Sequence, residues 1–218
     1  MKLQLLICDL DGTLVNSLDD LVTSSNLLLA AYGKRSLPAE TIRPCIGKGV
    51  EYLVSGVLNA AGCKGFNLET AVSQYREIYS LHALDQTGLY PGVQETLAAL
   101  KRGDARLQMA VVSNKPERAT RGILSALGIA EFFTLVAGGD TFAEMKPSPL
   151  PLRKVIEQLQ AEPEDCAIIG DSVYDLQAGK AAGMRTIAAL YGFQSPEMLK
   201  ALEPDYTVSA FNEILSIV

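Results

Sequence analysis

Five short apolar runs, at residues 3–8, 107–112, 134–137, 166–169 and 186–189, alternate with segments of helical periodicity, and this rhythm leaves few folds open. Each run is too short for a buried helix and lacks the polar alternation of a half-exposed strand, so each reads as a strand buried on both faces. One helical segment covers 92–102, with apolar residues at 93, 97 and 100, and a second starts at Pro116 and ends at Gly128, through Ile123, Leu124 and Leu127. Two more cover 152–159 and 173–182, the latter stopped by Gly183. Strands alternating with helices imply right-handed crossovers and a parallel sheet covered by helices on both faces.

Residues 16–86 break the rhythm. Ser17-Leu18-Asp19-Asp20 reads as a capping box, after which Leu18, Leu21, Val22, Leu28, Leu29 and Tyr32 keep helical spacing up to Gly33. Segments 38–46, 50–61 and 69–81 also read as helical, with no buried-strand run among them. The sheet resumes near Tyr90-Pro91-Gly92. The expected organisation is α/β: a Rossmann-like parallel-sheet core made of residues 1–15 and 87–218, carrying an inserted helical cap, residues 16–86.

Composition narrows the chemistry. A chain of 218 residues with 48% hydrophobic and 20% charged residues can bury a sizeable core and does not read as disordered. A net charge of -6 argues against nucleic acid or an anionic membrane as partner, because both require a basic face. No apolar run approaches the roughly 18–20 residues that span a bilayer, and Asp9 and Asp11 interrupt the first run before it can act as a signal sequence. Cys8, Cys45, Cys63 and Cys166 show no C-x-x-C spacing, so a reduced, cytoplasmic protein is expected. His82 is the single histidine and cannot build a two-histidine metal site, which leaves carboxylates as the main chemical resource.

Asp9 and Asp11 follow the first run in Asp9-Leu10-Asp11-Gly12-Thr13. Ser113 and Asn114 end the second, Lys146 opens Lys146-Pro147, and Asp171 and Asp175 follow the run at 166–169. In an open parallel sheet the loops beyond the carboxyl ends of the strands converge, so these residues are expected at one edge. An ionised carboxylate close to a divalent cation can attack phosphorus, and phosphoryl transfer then needs charge neutralisation and positioning above all. Magnesium takes oxygen ligands and keeps waters, so two or three carboxylates and a phosphate suffice. Lysine suits the phosphate as a compact donor, and Ser113 adds a hydroxyl with nearby backbone N–H groups. Asp9 and Asp11, two apart, point to one side of an extended chain, and Gly12 permits a tight turn beneath the phosphate. Two carboxylates so close are expected to titrate apart, one ionised as nucleophile and the other holding a proton for the leaving oxygen. Asp171 and Asp175 can turn toward one ion across a loop-to-helix junction. Singly, Asp-Gly is a turn signal, Ser113 and Asp171 are helix caps and Lys146 is a solvated loop residue. The ordered set carries the chemistry.

These stretches, with Tyr90-Pro91-Gly92 and Ala178-Gly179-x-x-Ala182-Gly183, resemble the motifs of the haloacid dehalogenase superfamily of phosphatases, nearest its phosphoglycolate phosphatase-like branch. The resemblance implies a Mg2+-dependent phosphatase that hydrolyses a small phosphorylated metabolite through an aspartyl-phosphate. It implies Asp9 as nucleophile, Asp11 as acid/base, and Ser113 and Lys146 as phosphate ligands, with Gly12 and Asn114 beside them. The metal would be held by Asp9, the Asp11 backbone carbonyl and Asp171, with Asp175 in support. The superfamily's dehalogenases lack the second aspartate, so Asp11 points away from carbon–halogen chemistry, while Asn16 stands where the branch usually has aspartate. Gly47-Lys48-Gly49 matches neither glycine-rich phosphate motif and is expected, with Arg43, to face the substrate from the cap. A sugar phosphomutase (β-phosphoglucomutase-like) or a pyrophosphatase would use the same intermediate. A catalytically silent binding module is disfavoured, since every motif carboxylate and the lysine are present. The expected assembly is a monomer or homodimer, His82 reads as a solvated helix-end residue, and Tyr191-Gly192-Phe193 reads as core or rim packing.

Overall fold

The central strand explains the rest of the architecture. In the computed structural model, which describes residues 3–218, the run Leu5-Leu6-Ile7-Cys8 forms β1 (Leu5–Cys8) with all four residues fully buried. The chain continues through β2 (Val15–Asn16), α1 (Leu18–Ala31), α2 (Ala39–Ile42), α3 (Val50–Ala60), α4 (Leu68–His82) and β3 (Gly88–Leu89). Next come α5 (Val93–Gly103), β4 (Gln108–Val112), α6 (Glu117–Ala126), β5 (Leu135–Ala137) and α7 (Leu150–Gln158). The chain ends with β6 (Cys166–Gly170), α8 (Val173–Ala182), β7 (Arg185–Ala189), α9 (Pro196–Lys200) and β8 (Tyr206–Val208).

The main sheet has the order β5-β4-β1-β6-β7-β8 and every pairing in it is parallel. The order reverses at β1, which makes its carboxyl end the topological switch point where ligands of such sheets bind. Register sharpens this, because Cys8 stands opposite both Val111 and Ile169. Asp9, Ser113 and Asp171 therefore leave the sheet almost level. Alternate residues of the strands feed two cores, Leu6, Cys8, Val111 and Ile169 on one face and Leu5, Ile7, Val112 and Ile168 on the other. At roughly 1.5–3 kcal/mol for each fully buried large apolar side chain, these cores fix the strand ends from which the site projects.

The elements from α1 to α4 are all helices, and they close on a third cluster, including Leu28, Leu29, Val54, Val57, Leu58, Val72 and Tyr75. Two expectations for this region need correction. No capping box forms at Ser17, whose hydroxyl instead donates to Asp11 Oδ1 at 2.5 Å. Asp20 accepts from the Gln86 and Thr87 N–H groups and from Thr87 Oγ1, tying the return of the chain to the start of α1. The segment 38–46 is not one helix. α2 gives way to a 3-10 turn at Arg43–Cys45, since Pro44 has no N–H to extend the ladder.

β8 was not anticipated. Tyr206 and Thr207 on this edge strand are exposed, so it shows no buried run. Nor was the antiparallel pair β2–β3, where Val15 faces Leu89 as the chain leaves the sheet and comes back to it. Among the described residues no helix is long and apolar enough to cross a membrane.

Candidate active site

Asp9 is held at the end of β1 by its N–H, which donates to Ile169 O at 3.0 Å. Gly12 then turns the chain with φ +86, and a Cβ there would run into the Asp171 carboxylate. A larger residue is excluded twice, by conformation and by space. The Asp171 side chain accepts from Thr13 Oγ1 (3.2 Å) and Phe193 N (2.7 Å). Asp175 lies in the first turn of α8, in a capping box with Ser172, and its Oδ2 accepts from Ser172 N and Oγ. Its Oδ1 accepts from Lys146 Nζ at 2.5 Å. With these oxygens committed, Asp175 holds the Lys146 ammonium in place.

Lys146, 3% exposed, also donates to Asp9 Oδ1 at 2.9 Å and to Val112 O. Burial works against its ammonium, but the charges of Asp175 and Asp9 raise its pKa above the ordinary lysine value. Asn114 fixes the loop that carries it: Asn114 Oδ1 accepts from Lys146 N (3.0 Å), and Nδ2 donates to Lys146 O (2.8 Å) and Gly47 O (2.9 Å). The Asn114 side chain is thus a clamp between the core and the loop after α2, and is not free to meet a phosphate. Ser113 is 4% exposed and lines the same cavity as Asp9 and Lys146.

Four carboxylates (Asp9, Asp11, Asp171 and Asp175) face two ammonium groups, Lys146 and Lys115. The imbalance shows in the titration. Burial, then the charge of Asp175, pushes Asp9 up to about 6, and burial with the charges of Asp9 and Asp175 raises Asp171 well above the usual carboxylate range. Oxygens of Asp9, Asp171 and Asp175 lie within 4.8 Å of one another. An all-oxygen set with two surplus negative charges fits a hard divalent cation.

Lys115 is the functional group the sequence reading left without a role. It follows the strand-end Ser113 by two, as Asp11 follows Asp9, and its Nζ donates to both Asp11 oxygens at 2.9 Å. Its side chain is 7% exposed, and the ammonium lies 4.6 Å from the centre of the Tyr79 ring in α4. Tyr191-Gly192-Phe193 also does more than pack. Tyr191 donates to Thr13 O, Phe193 N to Asp171, and a Cβ on Gly192 would collide with Asp171 and with the Gly12 carbonyl oxygen.

Above the carboxylates lies a cavity of about 600 Å³, walled by Leu21, Ile46, Val50, Leu53, Tyr75 and Tyr79 from one side and by Lys115, Ala119 and Ile123 from the other. Gly47 and Gly49 line it, but Lys48 does not, its ammonium lying 5.0 Å from the centre of the exposed Tyr52 ring. Arg43 is exposed and lies outside the lining; its charge offsets only a part of the rise that burial and Asp171 impose on the Tyr90 phenol. His82 ends α4 and contacts Asp85 at 2.7 Å.

A family profile described as haloacid dehalogenase-like hydrolase matches residues 6–189. The phosphoglycolate phosphatase of Nitrosospira multiformis is 35% identical, over all of this chain and 96% of its own. That of Aquifex aeolicus is 36% identical over 99% and 97%. The crystal structure of a predicted phosphoglycolate phosphatase from Haemophilus somnus superposes with a TM-score of 0.93 at 31% identity, covering 100% of this chain and 98% of that one.

Proposed function

This chain belongs to the haloacid dehalogenase-like hydrolases, and from that premise we propose that it is a Mg2+-dependent phosphatase whose nucleophile is Asp9. It is a phosphoric monoester hydrolase, and its substrate is a small phosphorylated metabolite. The observation that carries the residue assignment is the buried Asp9 carboxylate at the switch point, with Lys146 on one oxygen and Asp171 and Ser113 beside it. The helices over residues 16–86 act as a cap, the four unpaired cysteines suit the cytoplasm, and the assembly is a monomer or homodimer.

In the first step an Asp9 oxygen attacks phosphorus and the bond to the ester oxygen breaks. Asp11 hands that oxygen a proton. In the second, Asp11 takes a proton from water as the water attacks the aspartyl-phosphate, which frees inorganic phosphate and restores Asp9. A phosphoryl group on Asp9 lies within reach of Lys146, already 2.9 Å from that carboxylate, and Ser113 adds a hydroxyl. Asp9, Asp171 and the Asp11 carbonyl would hold Mg2+, which when bound offsets the negative charge on the phosphoryl oxygens.

Phosphoglycolate, the substrate named by the relatives, heads the panel of phosphorylated metabolites that tests this reading. Release of inorganic phosphate is expected with magnesium and is expected to cease with excess chelator. Transfer to a sugar hydroxyl without free phosphate would instead make the enzyme a mutase.

A further inference from the structure

The state of Asp11 poses a problem that the substrate must solve. Both of its oxygens accept from Lys115 Nζ, and Oδ1 also accepts from Ser17. A carboxylate held in this way cannot swing to the leaving oxygen while the ammonium stays on it. The Lys115 side chain is 7% exposed, so releasing it without a replacement leaves a buried ammonium unpaired, which is strongly unfavourable. A second anion in the cavity removes the difficulty.

The surroundings of Lys115 are built to receive one. Tyr75 and Tyr79, on the cap side of the same cavity, have buried hydroxyls without a hydrogen bond of ordinary geometry, that of Tyr79 lying beside the Lys115 ammonium and that of Tyr75 beside Ser25. Buried donors of this kind are normally paired. Apart from Lys146, which is engaged by Asp9 and Asp175, Lys115 is the buried cation of the lining, since Arg76 and Arg118 are exposed.

We propose that Lys115, with the hydroxyls of Tyr79 and Tyr75, binds a second anionic group of the substrate, a carboxylate close to the phosphate ester, and gives up Asp11 as it does so. This rests on the monoesterase reading above and extends it to specificity. The chain selects phosphomonoesters whose leaving group is itself an anion, and recognition of that anion frees Asp11 for its work on the ester oxygen. Specificity then resides in a core residue next to Ser113, and not in Lys48 or Arg43.

The test compares kcat/KM for 2-phosphoglycolate with that for ethyl phosphate, a neutral-bodied ester of the same chain length, both with magnesium. In Lys115→Met the ratio of the two is expected to fall about 10- to 100-fold, the range of one charge-assisted contact. Lys115→Arg should keep part of the preference. Tyr79→Phe, which removes only a hydroxyl, should lower the ratio a few-fold by the loss of a neutral hydrogen bond. A Lys115 that merely props the site would depress both substrates alike, and a ratio unchanged in Lys115→Met and Tyr79→Phe overturns the proposal. Wild-type enzyme that hydrolyses neither ester overturns the phosphatase reading itself, a separate result.

Discussion

As the proposed nucleophile, Asp9 would have to work in a place that resists its charge. Its carboxyl is pushed up to about 6 by burial and by Asp175, while Lys146 offsets part of this effect. Between about pH 4 and 6 the folded chain keeps a proton on Asp9 that the unfolded chain, with an ordinary aspartate, has already lost. The folded state binds more protons in that window, so the stability of the cation-free protein falls as pH rises through it, by about 3 kcal/mol at most from this group. Asp171, also raised, acts in the same direction. Magnesium binds the ionised carboxylates, so its stabilising effect should be larger near neutrality than near about pH 5. Thermal melts in chelator and in magnesium across this range measure both slopes. A cation-free melting temperature that is flat or rises between about pH 4 and 6 would contradict the account.

At the scale of elements, the site is a meeting of loops that leave β1, β4, β5, β6 and β7 at one edge. The buried strands among these were legible because each is a continuous apolar run, and Asp9, Ser113 and Asp171 stood out because they lie one or two residues past such runs. What the sequence concealed depends on contacts between distant segments. Asp20 shows its role only when Gln86 and Thr87 return to it, and Lys115 only when Asp11 and Tyr79 flank it. β8 stayed hidden because its exposed edge residues have no apolar run. The loop after β7 is a like case: Gly192 lies against Asp171 and the Gly12 carbonyl, where no side chain fits. Gly192→Ala should therefore fold but push Asp171 out of place. The magnesium concentration giving half-maximal phosphate release is expected to rise about 10- to 100-fold, as for other disturbed ligand supports. A magnesium titration superimposable on wild type would show that the loop does not set the ligand.

Taken whole, the molecule joins a sheet that carries the chemistry to a helical layer that covers it, and the joints are few. Asn114 reaches Gly47, Lys115 meets Tyr79, and Phe193 enters the apolar cluster of the helices. Much of the wall of the cavity between the two parts is apolar, which strengthens the charge interactions beside it. In the proposed reading this arrangement serves a phosphoryl group passing through Asp9. Asp11→Asn should slow breakdown of the aspartyl-phosphate by a factor on the order of 10²–10⁴. With p-nitrophenyl phosphate, whose leaving group needs no proton, formation of the intermediate is largely spared, so it accumulates in this variant. Quenching that reaction and reducing with borohydride turns a phosphorylated aspartate into homoserine, which peptide mass spectrometry can place. The account predicts homoserine at position 9, dependent on substrate and magnesium and absent from Asp9→Asn. Homoserine at another aspartate, or steady turnover in Asp9→Asn, would contradict it.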